Sequence, residues 1–155
     1  MSDKSTWDVE IYTMIAAGMS REEAIVVKPS LDRLVEMGIE RDSAMLVVAK
    51  CAASFGASAD DVVRAVDLGV VRSHPIGDGG PAQEMAAAIS LHAVHGALAG
   101  LTVHDLATAI ASMTAERGIS ISDAGHCVRK SLLDMVKPTL VAKRQAVKLG
   151  VTDVE

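Results

Sequence analysis

Apolar residues recur along this chain at helical spacing, and run after run of them stops at a glycine. Trp7, Ile11, Met14 and Ile15 predict a first helix, capped by Ser5 or Thr6 and running to about Ala17. Ser20 with Glu23 is a capping box for the second helix, in which Pro29 predicts a bend or an end and Ser30 a restart. Leu31, Leu34, Val35 and Met37 carry that helix to Gly38. Met45, Val47, Val48 and Cys51 mark a third helix ending at Phe55, and Val62, Val63, Val66 and Leu68 a fourth. The fourth starts at Ser58, with Asp60 and Asp61 facing the positive end of the helix dipole. After an irregular stretch, Pro81 suits the first position of a long helix over Ala82–Ala99. Leu106, Ala109, Ile110 and Met113 follow behind Thr102, then Val128, Leu132 and Met135 behind Ser120 or Ser122. Pro138 interrupts there, and Leu140, Val141, Ala146, Val147 and Leu149 predict a last helix to Gly150.

The glycines form a pattern of their own. Gly18-Met19-Ser20, Gly38-Ile39-Glu40, Gly56-Ala57-Ser58, Gly100-Leu101-Thr102, Gly118-Ile119-Ser120 and Gly150-Val151-Thr152 each place a helix stop beside a helix start. Glycine closes a helix in the left-handed conformation, the apolar residue packs back on it, and Ser or Thr caps the next. Glu40 is the weak member, a poor cap that Asp42 can replace. The expectation is an all-α compact bundle of about seven or eight short helices joined by tight corners at steep angles. Residues 1–155 read as a single helical domain, with N-terminal helices over 5–69, an irregular loop over 70–81 and C-terminal helices over 82–155. Val27-Lys28-Pro29-Ser30-Leu31 nearly repeats as Val136-Lys137-Pro138-Thr139-Leu140, but flanking spacings differ and no solenoid period emerges.

Composition sharpens this picture. Half of the 155 residues are apolar, yet only Trp7, Tyr12 and Phe55 are aromatic, so the core is built from Ala, Val, Ile, Leu and Met. Small side chains let helices approach closely. The Ala82–Ala99 segment is the extreme case. Between Pro81 and Ala115 the formal charges are Glu84 and Asp105, and Ala86, Ser90, Ala93 and Ala97 form a small-residue stripe beside Leu91, Val94 and Leu98. A helix apolar nearly all round is expected at the centre of the domain or in a subunit interface. Across Met85–Met113, where Ala dominates, His92, His95, His104 and Asp105 argue against a membrane span.

A net charge of −5 argues against a nucleic-acid surface, with the basic tract Lys137, Lys143, Arg144 and Lys148 read as a solvated helix face. The start, Met1-Ser2-Asp3-Lys4-Ser5, lacks the apolar core of a secretory signal. Two distant cysteines, Cys51 and Cys127, fit reduced thiols, and the expected compartment is the cytoplasm.

Three places can carry chemistry. His92 and His95 lie three apart on one helix face, and Asp123 and His126 repeat that spacing on another helix; together they can hold a transition metal, or stand as hydrogen-bonded core histidines. His74 and Asp78 lie with Gly79 and Gly80 just before a helix start, where free N–H groups attract a small anionic ligand; a Gly/Pro/Asp stretch such as this is usually just a turn. The corner Gly118-Ile119-Ser120 ahead of Arg129 and Lys130 resembles a helix-turn-helix, but the following Ile121-Ser122-Asp123-Ala124-Gly125 is poor in base-reading groups.

Nucleophile signatures are absent. The expected function is a self-associating helical binding domain, a homo-oligomer that holds a small ligand or protein partner without turnover. The alternative is a metal- or histidine-dependent enzyme around His74, His92, His95 and His126, with His74 and Asp78 as catalytic candidates; His74, Gly79, Gly80 and His92 are the ligand-binding candidates. A helix-turn-helix DNA binder is the most distant reading.

Overall fold

In a computed structural model, which describes residues 4–16, 18–73, 80–136, 144 and 147–150, the chain is all-α. Among the described residues seven helices follow one another: α1 Lys4–Ala16, α2 Arg21–Glu36, α3 Arg41–Phe55, α4 Ala59–Ser73, α5 Pro81–Leu98, α6 Val103–Arg117 and α7 Ile121–Val136. The last predicted helix falls mostly outside the described residues, as does the side chain of Trp7.

The glycine corners form as the sequence dictates. Gly18, Gly38, Gly56, Gly100, Gly118 and Gly150 all have positive φ, from 64° to 106°. At four of them the apolar residue that follows donates its N–H back five or six positions along the turn: Met19 to Met14, Ile39 to Leu34, Ala57 to Cys51 and Leu101 to Gly96, at 3.0–3.3 Å. Four of the helices that follow are then capped by side chains. Ser20 with Glu23 and Thr102 with Asp105 form reciprocal capping boxes, Ser58 with Asp61 exchanges the same pair of bonds, and Ser120 rather than Ser122 accepts from the Asp123 N–H. The turns are sharp: α5 and α6 diverge by 118°.

Glu40 makes no side-chain cap, and Asp42 does not replace it. The cap arrives from another helix: Gln83 of α5 accepts the Glu40 N–H through Oε1 at 2.8 Å and donates through Nε2 to the Ser43 hydroxyl at 2.9 Å. One amide thus closes the start of α3 and ties it to α5.

Three boundaries and one burial differ from expectation. α1 begins at Lys4, so Ser5 and Thr6 lie in its first turn rather than ahead of it. α2 continues through Pro29 as a single helix, because the ring sits on its exposed face and the neighbouring Ser30 and Leu31 are anchored in the core. α4 does not stop at Gly69 but runs to Ser73, so residues 70–73 are helical rather than loop. Gly69 is buried there because α5 comes so close that an added Cβ would stand 2.8 Å from the Met85 Cε. Met135, expected inward, is exposed.

α5 packs between α3 on one side and α7 on the other, over α4 and α6, whose own contact is the most extensive in the fold; α1 and α2 pack at the α3 end. Leu31, Leu34, Ile39, Met85, Ile89, Leu106 and Ile110 are fully buried, so the core is aliphatic as composition requires. Among the described residues no single helix is long and apolar enough to cross a membrane.

Replacing Gln83 with Leu removes both cross-helix bonds while keeping the bulk. It is expected to lower unfolding free energy by about 1–2 kcal/mol in urea titration, with α3 amides gaining the most hydrogen exchange.

Candidate functional site

The seam between α5 and α7 gathers the imidazoles. His92 is 1% exposed and lies against Gly125 of α7, where an added Cβ would stand 3.0 Å from both Cδ2 and Nε2 of the ring. A glycine in mid-helix is costly in itself, and here it leaves room for an aromatic ring against the backbone. Directly after Gly125 on α7, His126 meets the same ring edge-on, with centroids 5.3 Å apart and planes at 77°. His95, one turn further along α5, is half-buried. Among the described residues, the Nδ1 atoms of His92 and His95 are both buried without a hydrogen-bond partner.

Burial pushes the His92 pKa down to about 4, and the neighbouring His126, Arg129 and His95 add to the effect by opposing a further positive charge. The ring is therefore neutral at physiological pH. That depressed basicity makes it a poor proton carrier near pH 7, where an effective general acid or base has a pKa close to the working pH.

The expected metal set does not assemble. His92 and His126 meet, but Asp123 is an exposed residue in the first turn of α7, and among the described residues no group of three or more His, Cys, Asp or Glu side chains is arranged to hold a metal ion. The expected anion site falls mostly outside the described residues. His74, Asp78 and Gly79 lie outside the described residues. Gly80 is the N-cap of α5, with φ 40° and ψ 53°, and stands twelve residues before His92, about 18 Å along the helix. What the His92 end does offer is a small cleft of about 220 Å³ walled by Glu84, Leu91, His92 and Ser122.

The outer face of α5 differs from its inner one. Leu91, Val94 and Leu98 do not lie in the core: they are 59%, 52% and 69% exposed, while the Ala86, Ser90 and Ala93 face is buried. With exposed Ala87 they follow a four-three-four spacing, the seam of a helix that pairs with another helix. Sequence reasoning found both the stripe and the histidines but missed Gly125; a glycine inside a predicted helix, one residue before a histidine, was the available signal.

Over residues 10–155 the sequence matches the family described as Phage-related minor tail protein, and the chain belongs to that family. No curated protein and no solved structure matches it.

Acid should weaken the seam. Protonation is cheaper for His92 in the unfolded chain, with a pKa near 6.5, than in the folded chain, near 4. Its contribution is thus fully present above pH 6.5 and is lost progressively as pH falls toward 4. His92→Leu, which also removes the orphan Nδ1, should flatten that part of a stability-versus-pH curve measured by urea unfolding; parallel curves for the two proteins would contradict the assignment.

Proposed function

We propose that this chain is a self-associating helical module with an assembly role, and that it pairs with a second copy through the Leu91–Val94–Leu98 stripe of α5. The contrast within that one helix carries the reading. One side is so deeply packed that its neighbours give way to glycine, while the other presents three large aliphatic side chains to water. Fully burying a Leu or Val side chain is worth about 1.5–3 kcal/mol, so two such stripes closing on each other supply a substantial driving force for a dimer. A stripe at seam spacing is self-complementary, as a two-fold contact between identical surfaces requires.

Other features support the same reading. The family description names a tail component, which suits a part that works by fitting to other parts. His92 is neutral and the imidazoles form no metal set among the described residues, so no observation favours the enzymatic alternative. Cys51 and Cys127 are both free thiols, and burial pushes the Cys51 thiol up to about 12, which fits packing in a reducing cytoplasm rather than thiolate chemistry.

Sedimentation equilibrium tests the proposal. The native chain is expected to dimerise at micromolar concentration, and Leu91→Glu/Val94→Glu to weaken that step by roughly a hundredfold or more with an unchanged far-ultraviolet helix signal. A native chain that stays monomeric throughout, or a double variant that pairs as well as the native chain, would refute it.

A further inference from the structure

A larger groove, about 710 Å³, opens at the other end of the fold between α2 and the α3–α4 corner. Val26, Val27 and Ala57 give it an apolar lining, and Val26 is exposed. Its acidic residues are Glu22, Glu23 and Asp60, and none of the lining residues is basic. Two of the carboxylates are fixed in place. Glu23 accepts the Ser20 N–H at 2.8 Å, which holds its pKa below the usual carboxylate range, and Asp60 accepts the Ser30 hydroxyl at 2.9 Å.

The chain also carries the complement of this surface. From Met135 to Thr152 it has four basic residues, Lys137, Lys143, Arg144 and Lys148, and no acidic one, interleaved with Leu140, Val141, Val147 and Leu149. Where the structure describes this tract, its own fold does not cover it: Arg144 and Lys148 are exposed, and Val147 and Leu149 are 68% and 80% exposed. Apolar and basic groups in one uncovered segment match apolar lining and carboxylates in one groove, in both polarity and sign.

Position in the fold favours pairing between copies. The tract follows α7, which packs on α5 and α6, whereas the groove belongs to α2, which packs on α1, α3 and α4. We infer that the groove receives the basic tract of a second copy of this chain, joining molecules head to tail. Such a contact uses two different surfaces, so unlike the two-fold pairing of α5 stripes it does not close on itself and can propagate into a ring or filament. It rests on its own observations and does not require the stripe to pair.

The test uses the full chain carrying Leu91→Glu/Val94→Glu, which removes the stripe contact and keeps the two proposals separable. In sedimentation velocity at low salt, this parent is expected to show a weight-average mass that rises with concentration and falls on adding salt. Glu22→Arg alone and Arg144→Glu alone are each expected to weaken association about tenfold, and the two together to restore it to within about threefold of the parent. Both positions are exposed, and an unchanged helix signal confirms folding. A parent that stays monomeric at low salt, single reversals that associate as well as the parent, or a charge-swapped pair no better than the singles would each overturn the inference. A monomer whose shape alone responds to salt would also overturn it, by indicating that the tract docks on its own groove.

Discussion

A chain with three aromatic residues in 155 fills a core only by bringing helix backbones close together. The contacts of α5 mark where that closeness is enforced. Met85 rests on Gly69 of α4, His92 on Gly125 of α7, and Gly96 of α5 meets Phe55 of α3 and Leu106 of α6. At each contact one partner has given up its side chain so that the other can lie against backbone. Close-packed interiors tolerate little change of volume, so these three places hold α5 in one rotation and one depth.

That rotation has two consequences. It buries His92 with an unsatisfied Nδ1, a cost accepted in the seam where α5 and α7 meet. It also leaves a narrow arc of α5 uncovered, because α3 and α7 occupy its flanks and α4 and α6 its inner side. Leu91, Val94 and Leu98 fall on that arc. The buried imidazole and the exposed stripe are therefore products of one placement, and the surface proposed for pairing is as rigid as the core beneath it. The acidic groove lies elsewhere, at the corner of α2 with α3 and α4, so an assembly can draw on two surfaces with different physics: one apolar and insensitive to salt, the other charged and screened by it.

The helices and corners were legible in the sequence because their signals are local. A glycine, an apolar residue and a Ser or Thr occupy adjacent positions, and the bonds they make span no more than six residues. What escaped was set by distant residues. The start of α3 depends on Gln83, forty-three positions away from Glu40. α4 passes through Gly69 because Met85 needs the space, which no reading of the local pattern reveals. The same holds for the candidate site. Spacing identified His92 and His95 as one face and His126 as a possible partner, but whether a helix face is inward or outward depends on which neighbours flank it. Periodicity gave α5 two adjacent apolar stripes and no means of telling that the alanines face in and the leucines face out.

Native-state hydrogen exchange tests the packing of α5 most directly. The account predicts that amides from Ala86 to Ala93 exchange only through global unfolding, at least as slowly as those of α4 and α6, even though the Leu91 side chain is in water. Exchange of α5 ahead of both α4 and α6, by a local opening that leaves the rest of the molecule folded, would contradict it.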